Sequence, residues 1–284
     1  MAAIDVAGMK KTLAAWKGQD AQRRADPAAH FAQQQTGFRK GIEAKRRAVA
    51  RLTGIAPPIT PMAVTLDTPF LIWAFRNGTE ASAILVDSHI EASNSWAKIL
   101  AREEVGGQYG CRNQLNFYFF WQNGPDGEAV IDASTFLMLN GYCYVHADHG
   151  WIYVPLWGTS TIGYAGLGID ARLTLLEWWN HPPTEPVAGA NQTRDVLSLS
   201  ADGGWGFLSP GQTRSGWVSD NYHVAYDTLH VPRNGAVVFE VSLEVVYDGY
   251  NGSYDADFAN LDRSIVCPGV ELRVTPVSVT ASTS

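Results

Sequence analysis

The stretch Ala236-Val237-Val238-Phe239-Glu240-Val241-Ser242-Leu243-Glu244-Val245-Val246 sets large apolar residues at 237, 239, 241, 243 and 245 against Glu240, Ser242 and Glu244. Side chains of an extended chain point alternately to two faces, so a period of two predicts a half-buried strand. The odd positions are expected in a core, and Glu240, Ser242 and Glu244 in water. Near the C-terminus Val270, Leu272 and Val274 alternate in the same way with Glu271, Arg273 and Thr275. Working outward, segments rich in Val, Ile, Phe, Tyr, Trp and Thr predict strands at 63–76, 82–90, 114–122, 128–147, 150–157, 169–179, 195–200, 222–231, 236–247 and 264–278. Asn123-Gly124-Pro125-Asp126-Gly127 and Tyr250-Asn251-Gly252-Ser253 carry residues that tight turns need. The stretch 92–104 reads as a short helix or a further strand. Strands at this spacing, without helical periods between them, predict an all-β body of the β-sandwich or jelly-roll kind.

The segment before this body has a different grammar. Val6, Met9, Leu13 and Trp16 recur at three- and four-residue spacings, the stripe of an amphipathic helix. Over 38–52, Phe38, Ile42, Val49 and Leu52 share a second face, with Lys45, Arg46, Arg47 and Arg51 around it. Asp26-Pro27 and Gln33-Gln34-Gln35 break the two stretches, and Ala56-Pro57-Pro58-Ile59-Thr60-Pro61 stops helix altogether. The organisation expected is a basic helix-prone arm at 1–56, a Pro-rich linker at 57–61, and β-sandwich segments at 62–181 and 187–284. The Pro-rich run 182–186 leaves open whether these are two halves of one sandwich or two tandem sandwiches.

Charge divides along the same line. Residues 1–56 carry eleven Lys and Arg against four acids, a balance of +7, while the rest of the 284 residues carries ten against twenty-four, −14. Such asymmetry is the mark of an interaction arm. With 46% hydrophobic and 17% charged residues the chain is not disordered as a whole. The longest apolar runs, such as Phe70-Leu71-Ile72-Trp73-Ala74-Phe75, fall far short of the roughly 20 residues of a membrane-spanning helix. No apolar run follows the N-terminal lysines, so no classical signal peptide is expected, and the cytoplasm or an assembled particle is the expected location. Three cysteines, Cys111, Cys143 and Cys267, are too few for a disulfide scaffold and are expected as free thiols.

Motifs for chemistry are sparse. His146-Ala147-Asp148-His149 is the most metal-like cluster, with Asp87 and His89 as remote partners. On a regular strand 146 and 149 point to opposite faces, so His146, Asp148 and His149 converge only around a turn. Asp255-Ala256-Asp257, with Asn251 and Asp262, is oxygen-rich and loop-like, but its spacing fails the EF-hand pattern, and solvated turn acids are expected. Ser95-Trp96-Ala97-Lys98 fits S-x-x-K without the companion motifs that give that pattern meaning. No nucleophile elbow, Walker A or dinucleotide fingerprint occurs; no catalytic residue and no cofactor are expected. Of the ten tryptophans, Trp151, Trp157, Trp205 and Trp217 lie in or beside turn-rich sequence, where they either staple loops or stack on sugar rings.

The expected function is therefore a non-enzymatic, self-assembling structural protein. Its acidic sandwich packs into a homo-oligomer, particle or fibre, while Arg39, Lys40, Lys45, Arg46, Arg47 and Arg51 clamp a neighbour or an anionic partner, either nucleic acid or an acidic protein surface. Val6, Met9, Leu13 and Trp16 form the apolar strip of that arm, and the strip has its own β-body as an alternative dock. A carbohydrate-binding module, a membrane-active sandwich with an amphipathic N-terminal helix, and a metal-dependent hydrolase are the alternatives.

Overall fold

The computed structural model describes residues 5–25, 61–148, 163–178, 187–203 and 211–277. Within them are one α-helix and twelve strands. The helix α1 spans Val6–Ala25; the strands are β1 Met62–Leu66, β2 Leu71–Arg76, β3 Thr79–Glu80, β4 Leu85–His89, β5 Ser95–Gln122, β6 Glu128–Ala147, β7 Tyr164–Trp178, β8 Val187–Asp202, β9 Gln212–Val231, β10 Ala236–Phe258, β11 Ser264–Cys267 and β12 Val270–Val277. The protein is an all-β sandwich carrying an N-terminal helix.

All twelve strands are hydrogen-bonded into one antiparallel sheet that doubles over on itself. One layer runs β3, β2, the C-terminal part of β5, the N-terminal part of β10, β7 and β8. The other contains β9, β6, and, along β6, the end of β10, β11 and β12, with β4, the start of β5, and β1 completing it. The layers meet face to face where β7 and β8 pack on β6 and β9. β5 and β10 belong to both layers, and they turn the corner together. Tyr250 pairs with Gln108 but Gly252 with Val105, so Asn251 on one strand faces Gly106-Gly107 on the other. Gly107 has φ +95° and Asn251 φ +47°, and the Gly107 N–H donates to Asn251 Oδ1 at 2.7 Å. A bulge with left-handed residues is how a sheet bends sharply without losing its pairing.

Tyr250-Asn251-Gly252-Ser253 is thus a bulge within β10 rather than a turn between strands, and Asp255 and Asp257 stand on regular strand instead of a loop. The segment 92–104 is strand: Ser95, Ala97, Ile99 and Ala101 are buried while 96, 98 and 100 are part-exposed, a period of two. The expected strand 63–76 divides into β1 and β2, and 264–278 divides at Pro268-Gly269. The expected strand 150–157 lies outside the described residues. Strands from the two sides of 182–186 interleave, because β10 lies between β5 and β7, so one sheet spans 62–277.

Two apolar clusters result. The main core fills the space between layers with the inward rows of each long strand, including Leu115, Phe117 and Phe119 of β5, Leu137 and Leu139 of β6, Ile169 to Leu175 at alternate positions of β7, and Val237 to Val245 at the odd positions of β10. The second lies on the outer face of the first layer: Trp73, Phe75, Tyr118, Leu176, Trp178, Ala236 and Val238 are covered by Met9, Leu13 and Trp16 of α1. Asp5 starts that helix by accepting the Gly8 N–H at 3.0 Å, an N-cap contact.

Candidate functional site

The two outer faces of the sandwich differ in what covers them, and each carries a cluster of chemistry-bearing residues.

The face under α1 is polar at its centre. Glu240, Ser242 and Glu244, expected in water, are all buried. The alternation of β10 is as read, but the outward row meets the helix and two arginines. Lys17 of α1 places Nζ 2.5 Å from Glu240 Oε1 and donates to Gln114 Oε1 at 3.2 Å, with both charged side chains only 2% exposed. Lys10 Nζ lies 4.5 Å above the Trp73 ring, a cation–π contact. Glu244 is clamped at 2.6 Å by Arg112 from β5 and at 2.6 Å by Arg172 from β7. Burial, and then the Glu240 carboxylate beside it, push the Tyr118 phenol well above its ordinary value. Next to these pairs the side-chain amide of Asn116, the hydroxyls of Ser242 and Thr174 and the indole N–H groups of Trp73 and Trp178 are buried without a hydrogen-bond partner among the described residues.

The outer face of the second layer carries exposed aromatics. Trp217 of β9 pairs across the strand with Tyr142 of β6, which pairs with Asp257 of β10. Trp217 is 65% exposed. Its ring lies 5.0 Å from that of Tyr142 at an interplanar angle of 56°. The Arg263 guanidinium sits 5.1 Å from the Trp217 ring and 5.6 Å from the Tyr142 ring, and is held there by an ion pair with Asp257. Burial works against the Asp257 charge. The Asn260 amide and N–H, the Ala259 N–H and Arg263 outweigh it and hold the carboxyl below its usual range. Asp255, two positions along, has no such cradle, and burial followed by the Asp257 charge raises it. Further down the face the Phe136 and His223 rings lie 4.8 Å apart with their planes tilted by 45°, and Phe136 and Met138 are exposed.

Met9, Leu13 and Trp16 are buried on the chain's own sheet, whereas Val6 is exposed. Arg39, Lys40, Lys45, Arg46, Arg47 and Arg51 lie outside the described residues, as do His149, Trp151, Trp157 and Trp205. His146 has both ring nitrogens engaged, Nδ1 with Thr213 Oγ1 at 2.8 Å and Nε2 with Asp148 Oδ1 at 3.2 Å. Among the described residues no group of three or more His, Cys, Asp or Glu is placed to hold a metal. Asp87 and His89 do not join His146: His89 pairs with Trp96, whereas the row of His146 reaches β5 at Glu104, eight residues or about 26 Å further along. Ser95 exchanges hydrogen bonds with the Glu91 backbone and Lys98 lies over Trp96, so the S-x-x-K pair is not a unit. All three cysteines are free and buried, and burial pushes the Cys143 and Cys267 thiols up to about 12. Among the described residues no helix is long and apolar enough to cross a membrane. Sequence reading missed Arg263, Tyr142 and Lys17; only the Trp217-Tyr142 register and the helix docking single them out.

No family model matches the chain, and no curated protein matches it. Among solved structures, the CBM61 module TmCBM61, determined with beta-1,4-galactotriose, aligns at 6% identity over 75% of this chain and 86% of that one, with a TM-score of 0.20. Infectious bursal disease virus structures of the Gx and Gt strains align at 12% and 14% identity, over 67% and 66% of this chain and 41% and 45% of those, with TM-scores of 0.12 and 0.10. At these scores the likeness carries no argument about function.

Proposed function

We propose that this protein is a non-enzymatic structural protein that assembles with further copies of itself through the outer face of β6 and β9. The observation that carries this reading is the exposed Trp217, backed by the part-buried Tyr142 and Arg263 and continued by the exposed Phe136 and Met138. Trp, Tyr and Arg are the residues that dominate interface energetics, and Met and Phe are enriched beside them. From His146 to Phe136 the face extends about 33 Å along β6, and four strands give it about 19 Å of width. The resulting area, on the order of 600 Å² in projection, approaches the roughly 800 Å² per partner of a standard interface. The crossed rings, with Arg263 over both, offer no single flat platform, which disfavours sugar stacking as the role of this cluster. Two bodies of charge −14 repel at low salt, and the basic residues Arg39 to Arg51 are suited to neutralise an acidic neighbour or to hold an anionic partner.

Light scattering coupled to size-exclusion chromatography tests this reading. The full chain is expected as a discrete oligomer, and Trp217→Ala is expected to weaken association about 30-fold, the effect of losing a hot spot of about 2 kcal/mol. The ratio of absorbance at 260 and 280 nm separates nucleic acid from protein as the arm's partner. A monomer of 31.0 kDa at working concentrations, or an oligomer indifferent to Trp217→Ala, would refute the proposal.

A further inference from the structure

We infer that α1 is an exchangeable arm: the outer face of β2, β5, β7 and β10 also receives the α1 of a second copy, which makes Lys17–Glu240 an ion pair between subunits. The inference builds on the assembly reading but concerns the opposite face of the sandwich.

Four observations converge on it. The helix adds nothing to the main core: Met9, Leu13 and Trp16 pack into a cluster separate from the one between the layers. The core between the layers is therefore complete without any residue of α1. An uncovered face, however, would leave Trp73, Phe75, Leu176 and Trp178 in water, an apolar patch that demands a cover. The lock is specific, because a replacement needs an apolar stripe followed directly by a cation that reaches Glu240 and Gln114. α1 supplies that combination with Leu13, Trp16 and Lys17. The fit is also incomplete: among the described residues Trp73 and Trp178, packed against the helix, and Thr174, Ser242 and Asn116 on the strand rows beside Glu240 keep buried polar atoms unpartnered, which lowers the cost of lifting the helix into water. Finally, residues 26–60 join α1 to the body. Thirty-five residues span up to about 120 Å when extended, against a radius of gyration of about 19 Å for a domain of this length. Chain length does not oblige α1 to sit on its own sheet, and exchange of an identical element is a low-cost route to association.

A charge-reversal mixture tests the exchange. Lys17→Glu alone faces Glu240 with Glu, and Glu240→Lys alone faces Lys17 with Lys, so each variant is expected to lose amide-exchange protection in α1. Mixed in equal amounts, the two chains can restore both pairs only by trading helices. The expected result is recovered α1 protection together with a 1:1 hetero-oligomer in native mass spectrometry. Recovery in the doubly substituted chain without recovery in the mixture would overturn the inference, because the helix would then dock only on its own body. Should a single variant fail to fold, Lys17→Cys/Glu240→Cys in one chain, oxidised with glutathione disulfide, gives an independent reading. A covalent dimer whose share rises with chain concentration supports exchange, and a product cross-linked only within the chain refutes it. Trp217→Ala, which tests the opposite face, scores the assembly reading separately from either result.

Discussion

Replacing Lys17 with methionine should release α1 from the sandwich without unfolding the sandwich. The helix is held by two kinds of contact. Met9 and Leu13 are fully buried, at about 1.5–3 kcal/mol each, and Trp16 contributes at least as much, for a gross gain of about 5–9 kcal/mol. Against this stands the ordering of the helix, so the net docking energy is smaller than the gross. Lys17 and Glu240 are each 2% exposed. Removing one member of such a pair strands a charge in low dielectric and costs about 3–5 kcal/mol. That loss is comparable with everything that holds the helix, so undocking relieves it: Glu240 becomes wet and the sandwich core, which lies on the other side of the sheet, stays packed. Hydrogen exchange read by mass spectrometry should show α1 amides exchanging at least about 100-fold faster in Lys17→Met, while amides of β6 and β10 keep their protection. Lys17→Met/Glu240→Met, which removes both charges, should return α1 to near wild-type exchange, since an apolar pair of similar size is neutral or better at a buried site. Wild-type exchange rates for α1 in Lys17→Met would refute the reasoning, because they would mean that Glu240 had not been left unpaired.

Two acids two positions apart on β10 should respond oppositely to neutralisation. Asp257 has its carboxyl held low, so the stability it confers is fully present above the unfolded value near about 4 and is lost as pH falls through the lower folded value. Asp255 is held high by burial, so its ionised form opposes folding at neutral pH and the protein gains stability as pH falls through the raised value. Thermal denaturation at pH 7 should therefore show Asp257→Asn less stable and Asp255→Asn more stable than wild type, and shifts of the same sign would contradict the assignment. At the corner, Gly107→Ala forces a side chain onto a residue with φ +95°, at an expected cost of about 1–2 kcal/mol in urea denaturation; Gly106→Ala, at a position without a positive φ and with no atom near an added Cβ, should cost less.

Much of the fold was legible because strand burial follows a period that composition can display. The rows Val237 to Val245 and Val270 to Val274 face the core as their alternation requires. What escaped were stretches in which inward residues are small or polar. In 95–113 the buried positions include Ser95, Ala97, Ala101 and Asn113, which carry little hydrophobic signal, so a 28-residue strand was legible only from 114 onward. Tyr250-Asn251-Gly252-Ser253 has the composition of a turn because a bulge needs the same left-handed residues. Of the aromatic face, Trp217 could be suspected from its turn-rich surroundings, but Arg263 and Tyr142 could not, since the three come together from β6, β9 and the turn before β11.

The sequence by itself determined the secondary structure of most of the body, the amphipathic stripe of Met9, Leu13 and Trp16, and the contrast of charge between residues 1–56 and the rest. These follow from local rules, in which period and composition act on neighbouring residues. Only the tertiary structure decided what the second face of each strand meets. Glu240, Ser242 and Glu244 read as a solvent row, yet they are buried, because Lys17 arrives from 223 residues away and Arg112 and Arg172 from the flanking strands. Alternation separates two faces without saying which one water reaches. That is settled by packing between segments distant in the chain, and among the described residues it makes one outer face a bed for a helix and leaves Trp217 exposed on the other.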